Sequence, residues 1–316
     1  ANTFMAKGVI PFKHRCALGS AGLQANDYIS CGFDKADVII CVGYDLVEYH
    51  PYLWHPDRDR TIIHIDYSPA ETDAHYPVAV GVIGDIRHSL DRIAQLTTPH
   101  QGAHVRPMRE RLVREMDQHR EDLEYPVKPQ KIIWDLRTAL DLEDIVVCDV
   151  GAHKMWMARM FRCEYPNTCI ISNGFASMGI AVPGAIAAKL VYPQRRVVAV
   201  TGDAGFMMNS QEIETAMRCK LPIVILIWND SSYGLIEWKQ MNQFKRSSNV
   251  HFTNPDFVSY AESFGAKGYR IERTADLPTI LEEALANDTV SIIDCPVDYR
   301  ENIKLTDQLG TLVCPT

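Results

Sequence analysis

Apolar residues fall in short unbroken runs along this chain, at 38–43, 61–66, 78–83, 145–150, 169–172, 197–202, 223–228 and 291–295. The runs are rich in Val and Ile and lack the apolar–polar alternation of a half-exposed strand. That pattern predicts strands buried on both faces of parallel sheets. Helical stretches fill the gaps at 130–140, 181–190, 211–219, 255–264 and 277–286. Asn254 followed by Pro255 predicts a helix start, a capping side chain and then proline at the first position. Strand and helix in alternation predict an α/β fold, parallel sheets with flanking helices. The rhythm breaks at 97–130, where RPMRERLVREMDQHRED is charged and lacks a wide apolar stripe, and YPVKPQ carries two prolines. This segment reads as a partly helical linker between a first unit, 1–96, and a second, 131–316.

Composition narrows the function. A chain of 316 residues with 47% hydrophobic and 23% charged positions is ordinary for globular protein and long enough for about two domains. Its net charge of −8 leaves no basic excess for a nucleic-acid partner. No apolar run approaches the ~20 residues of a membrane span, and no signal-peptide pattern opens the chain; the expectation is a cytoplasmic enzyme with no membrane partner. Nine cysteines form no C-x-x-C pair, against a zinc site, and read as buried reduced thiols. His50, His55, His64 and His75 show no metal-ligand spacing.

Chemistry concentrates in VVAVTGDAGFMMNSQEIETAMRCKLPIVILIWNDSSYG. A buried strand ends in Gly202-Asp203-Ala204-Gly205, a helix follows, and a second buried strand ends in Trp228-Asn229-Asp230. In open α/β sheets ligands bind at such carboxyl ends. Glycines let a backbone approach a diphosphate closely, and the following helix N-terminus favours anions. Mg²⁺ takes oxygen ligands and keeps phosphate oxygens among them. Asp203 supplies one oxygen, Asp230, 27 positions on, a second, and a carbonyl of the Ser231–Ser232 turn a third. Alone, G-D-A-G is also an ordinary strand-ending turn; the second acidic strand end gives it a partner. No G-x-G-x-x-G fingerprint occupies this turn, against a dinucleotide site.

With these residues in view, the sequence resembles the thiamine-diphosphate enzymes, whose signature is G-D-G, about two dozen residues, then two asparagines. It departs twice. Ala204 stands at the middle glycine, as among acetohydroxyacid synthases, and Asn229-Asp230 stands for the asparagine pair, as in the flavin-independent, catabolic acetolactate synthases. CVGYDLVEYHPYLWH and IIHIDYSPAETDAHYPVAVGVIGDI resemble that branch's middle domain; DVGAHKMWMAR, ISNGFASMGIAVPGAI, YAESFGAKGYRI and CPVDYREN resemble its cofactor domain.

The resemblance implies thiamine diphosphate and Mg²⁺ as cofactors, with no FAD. The metal matches fall on Asp203, Asp230 and the carbonyl of Ser232, with Asn229 as the alternative ligand. Gly151, Ala152 and His153 would close over the diphosphate, His153 as donor, beside Gly202, Gly205 and Tyr233. Ala176 would give its carbonyl to the aminopyrimidine, Met178 would wedge the cofactor into its bent shape, and Ser177 lies between them. Glu237 falls one position past the glutamate of simple pyruvate decarboxylases and also reads as a solvated helix carboxylate. The implied activity is condensation of two pyruvates to 2-acetolactate with loss of CO₂. The alternatives are decarboxylation of another 2-oxo acid, such as 2-oxoglutarate to succinic semialdehyde, and a non-catalytic α/β binding protein. In the resembled family an activating glutamate lies in an N-terminal pyrimidine-binding domain, to which no segment here is similar. The resemblance therefore implies a longer protein and a homodimer or homotetramer that joins pyrimidine and diphosphate domains.

Overall fold

In the computed structural model, residues 1–22, 28–98, 102, 105–302, 304 and 305 are described. Three of the Val/Ile runs become β1 (Val38–Val42), β2 (Thr61–Asp66) and β3 (Val78–Ile83), parallel and in that spatial order, with Val38 opposite Thr61. Here the expected two-sided burial is not met. β1 alternates exposed and buried positions, leaving Val38, Ile40 and Val42 open while Ile39 and Cys41 pack inward. One face of this sheet meets the core of the described chain, and the period of two puts the other face outside. The helix α1 (Tyr28–Asp34) precedes this sheet, and α2 (Ile86–Leu96) follows it, capped by Asp85.

The charged segment that follows holds α3 (Arg106–Asp117). A narrow stripe, Met108, Leu112 and Met116, is buried. Its charges reach across instead: Arg159 meets Glu115 at 3.2 Å and Arg162 pairs with Asp117.

The remaining runs build a six-stranded parallel sheet from β4 (Ile145–Cys148), β5 (Cys169–Ile171), β6 (Val197–Gly202), β7 (Val224–Asn229), β8 (Lys267–Arg270) and β9 (Ser291–Pro296), in the order β5-β4-β6-β7-β9-β8. Burial on both faces holds here: alternate residues of each central strand serve opposite cores. Val146, Cys148, Val198 and Val200 pack with α4 (Pro129–Ala139), α5 (Ala152–Met160) and α11 (Leu277–Ala286). Ile145, Val147, Val197 and Ala199 pack with α6 (Ala181–Val191), α8 (Glu212–Arg218) and α10 (Phe257–Ser263). β8 is an edge strand of sequence KGYR with no buried residue, which is why no apolar run announces it.

Strand order fixes where a ligand can lie. The chain leaves β4 for β5 on one side and then returns to place β6 on the other. Such a reversal opens a crevice beyond the carboxyl ends of the two strands. Asp149 to Gly151 stand at the end of β4, Gly202 and Asp203 at the end of β6, and Asp230 just past neighbouring β7.

Two expectations need correction. The cap of α10 is Asp256, whose carboxylate accepts the Ser259 N–H at 2.8 Å, a contact worth about 1 kcal/mol. Asn254 instead donates its side-chain amide to Asp203 at 2.7 Å and Asn229 at 3.0 Å. Not every cysteine is a reduced thiol either: Cys41, Cys148, Cys163, Cys169 and Cys295 are free and buried, but Cys31 is disulfide-bonded.

Candidate active site

The crevice is a cavity of about 210 Å³. Its walls come from the turn after β4 (Gly151, Ala152, His153), the loop before α6 (Ala176, Met178), the end of β6 (Gly202 to Gly205) and the turn after β7 (Asp230, Ser232, Tyr233). All the residues singled out from the sequence for cofactor contact line it except Ser177, which is exposed. Leu235, Ile236 and Tyr299 also line it. Glu237 is not among its walls; its carboxylate accepts the Ser232 hydroxyl at 2.9 Å and faces His251 Nε2 at 3.2 Å. It is a half-buried bracket on the helix α9 (Gly234–Phe244), not the solvated carboxylate of the sequence reading.

Backbone conformation and glycines shape the site. Ala176 and Ser231 sit at φ +51° and +53°, a left-handed region rare for residues with a side chain. Both are held by buried carboxylates. Asp203 accepts the Ser231 N–H at 2.7 Å. Asp149 accepts the N–H groups of Gly179 at 2.8 Å and Ala181 at 3.2 Å, pinning the loop that carries Ala176 and Met178. Gly234 is required by contact: a Cβ there would lie 2.7 Å from Asp230 Oδ2. A Cβ at Gly151 would meet the His153 ring at 2.6 Å.

Burial dominates the electrostatics of the cavity walls. Asp203 is buried, and burial raises its carboxyl above the usual range. Asp230 is pushed up to about 8, first by burial, then by the charges of Asp203 and Glu237. Two carboxylates that repel each other in a dry crevice are matched by a metal cation. Among the described residues no group of three His, Cys, Asp or Glu side chains converges, so such an ion would draw its other oxygens from backbone and ligand, as Mg²⁺ does with phosphates. Beside Gly202, His153 is fully buried, and burial drops its pKa to about 3. Its Nε2 has no hydrogen-bond partner, a feature native proteins keep where a ligand completes the set.

This neutral imidazole carries a testable sign. An unfolded histidine titrates near 6.5, so between pH 3 and 6.5 the unfolded chain binds the extra proton and stability falls as the pH falls. By pH 5 the loss from His153 amounts to about 2 kcal/mol. Chemical denaturation at pH 7.5 and 5 is expected to show His153→Gln losing less stability than the parent by roughly that amount; equal losses would place His153 outside the core.

Comparison with known families settles the relationship. Residues 149–295 match the family described as thiamine pyrophosphate enzyme, C-terminal TPP binding domain, and residues 1–93 match the thiamine pyrophosphate enzyme central domain. The chain belongs to the thiamine pyrophosphate enzymes. It is similar to the acetolactate synthase of Bacillus subtilis, 39% identical over 91% of this chain and 51% of the relative. The catabolic acetolactate synthase of Raoultella terrigena is 35% identical over 92% and 53%, and a probable acetolactate synthase large subunit of Methanocaldococcus jannaschii 31% over 98% and 54%. The chain thus spans about half the length of the curated relatives it matches.

Asn229 and Asp230 differ in their partners. The Asn229 amide donates to Asp294 at 2.8 Å and its oxygen accepts from Asn254 at 3.0 Å, so Asp230 is the side chain of the pair that lines the cavity. Sequence reading missed Asp149, Asn254 and Tyr299. Asp149 ends an apolar run and Asn254 precedes a proline, positions with simpler explanations. Tyr299 is far along the chain, and only tertiary packing brings its ring to Trp228, at 6.3 Å.

Proposed function

We propose that the chain is the diphosphate-anchoring part of an acetolactate synthase that condenses two pyruvates to 2-acetolactate with loss of CO₂. The observation that supports it most is the Asp203–Asp230 pair in a glycine-lined crevice whose walls also include His153, with its Nε2 unpartnered. Asp203, Asp230 and the Ser232 carbonyl would hold Mg²⁺, His153 and the turn at Gly151–Ala152 would take the diphosphate, and Ala176 and Met178 would set the pyrimidine end. Bound thiamine diphosphate supplies the carbon nucleophile and electron sink needed to decarboxylate a 2-oxo acid. The residues here would bind and orient it, with the apolar side chains Met178, Leu235 and Ile236 lining the cavity beside its reacting end.

The walls also bear on the substrate. Among the described residues lining the cavity there is no Lys or Arg, whereas a second carboxylate, as in 2-oxoglutarate, calls for a cation. Small monocarboxylates such as pyruvate fit the walls better. Relatives named as large subunits support an oligomer, and so does an apolar rim: the wall residue Ile236 is open, and Phe175, next to the wall residue Ala176, is 98% exposed. We assign the pyrimidine-side glutamate to an N-terminal domain of the kind the resembled enzymes carry, meeting this rim in a homodimer or homotetramer. No FAD is required by this reading, and a cytoplasmic location suits it. Among the described residues no helix is long and apolar enough to cross a membrane.

Product analysis tests the activity. Enzyme of the relatives' full length, given Mg²⁺ and thiamine diphosphate, is expected to form acetolactate from pyruvate without added FAD and to leave 2-oxoglutarate untouched. Acetaldehyde from pyruvate, or succinic semialdehyde from 2-oxoglutarate, as main product would move it to the decarboxylases.

A further inference from the structure

A chain of hydrogen bonds ties the Asp203 carboxylate to a guanidinium on the far edge of the sheet. Arg270, on β8, donates Nε to Asp294 Oδ2 at 3.0 Å. Asp294, buried on β9, accepts Asn229 Nδ2 on its other oxygen at 2.8 Å. Asn229 Oδ1 accepts Asn254 Nδ2 at 3.0 Å, and the same Nδ2 donates to Asp203 Oδ2 at 2.7 Å. Five segments of the chain thus meet in one line.

Each link has a single possible direction. Guanidinium only donates and ionised carboxylate only accepts, so Asp294 takes the Asn229 amino group and leaves the Asn229 oxygen outward. That oxygen and Asp203 are both acceptors, and both demand the amino group of Asn254. Turning the Asn254 amide over would set its oxygen against two acceptors. The amide keeps its orientation even though its own Oδ1 stays buried without a partner, an arrangement that folding stability alone does not favour. Arg270 also holds Asp256, the cap of α10, at 3.0 Å, so the same side chain grips the residue two positions after Asn254.

We infer that Arg270, Asp294, Asn229 and Asn254 form a positioning relay that aims the Asp203 carboxylate at its cation; this rests on reading the cavity as a Mg²⁺–thiamine diphosphate site. Asp203 Oδ2 takes two donors, the Ser231 N–H and Asn254, whereas Oδ1 takes only the Ala204 N–H at 2.8 Å and keeps a lone pair for an ion. Residues in this outer position typically change metal affinity by about 10–100-fold when removed.

The test is calorimetric Mg²⁺ affinity of the 316-residue chain in saturating thiamine diphosphate, with thermal midpoints measured in parallel. Asn254→Ala is expected to weaken Mg²⁺ by about 10–100-fold. Asn254→Ser, which keeps one donor, should retain more affinity at a similar midpoint. Arg270→Met should weaken Mg²⁺ in the parent but add nothing in the Asn254→Ala background, since the relay is already cut; Arg270→Lys should recover part of the loss. Additive losses, or variants that lower the midpoint and leave Mg²⁺ affinity unchanged, would overturn the relay. If Asp203→Ala loses the cation while Asn254→Ala keeps it, the relay falls and the site stands. If the parent itself binds no cation, both fall.

Discussion

Asp203→Ala is expected to abolish Mg²⁺-dependent binding of thiamine diphosphate, a loss of at least about 100-fold in affinity, with the fold retained. The carboxylate stands where β6 gives way to the short helix α7 (Asp203–Met208), beside the crevice and buried to 1% exposure. Losing it removes a ligand and the acceptor that holds Ala204, Ser231 and Asn254 in place. Some stability goes with those contacts, about 1–3 kcal/mol for donors left buried, but removal of a like charge from Asp230 offsets part of it. Asp203→Asn separates the two effects, keeping the shape and cancelling the charge; it too should lose the cofactor. Near-parental affinity in calorimetry for both variants would remove Asp203 from the site. The proton on Asp230 gives a second sign. With its carboxyl pushed up to about 8, Mg²⁺ binding at pH 7 must displace a proton, so affinity should rise between pH 6 and 8.

The second large effect concerns turnover. Residues 1–316 alone are expected to bind thiamine diphosphate weakly and to release no CO₂ from pyruvate. The proposed diphosphate contacts line one cavity here, but the proposed activating glutamate is not among its described walls, and the apolar side chains of Phe175, next to Ala176, and Ile236 are open to water. An open rim leaves the reacting end wet and its electrostatics screened. Supplying the N-terminal part of an acetolactate synthase of this kind, fused or in trans, should restore turnover and tighten binding. Enzyme-like rates from this chain alone, followed by CO₂ release, would mean that a base within these residues does the activation, and the division of labour proposed here would be wrong.

What the sequence disclosed, and what it hid, follows from which forces act locally. Val197–Gly202 was legible to the residue because a parallel strand covered on both faces is built from an apolar run. β8 was hidden because an edge strand is released from that demand. Gly202-Asp203 and Asp230 stood out because strand ends carrying carboxylates are chemically conspicuous. Asn254 did not, since its role depends on acceptors contributed by β6 and β7, and its neighbour Pro255 suggested a cap. Asp149 was likewise unreadable: a carboxylate that clamps the N–H groups of Gly179 and Ala181 acts through a loop some thirty residues away. The exposed face of β1 was misread because Val and Ile in a run look the same whether one face is covered or two.

Calorimetric titration of thiamine diphosphate into the chain, once with Mg²⁺ and once with EDTA, tests the crevice most directly. Saturable binding at one cofactor per chain with the cation, lost in EDTA and lost again in Asp203→Ala, is expected. Equal binding with and without the cation, or none in either, would contradict the assignment of Asp203 and Asp230 to a metal-bridged diphosphate.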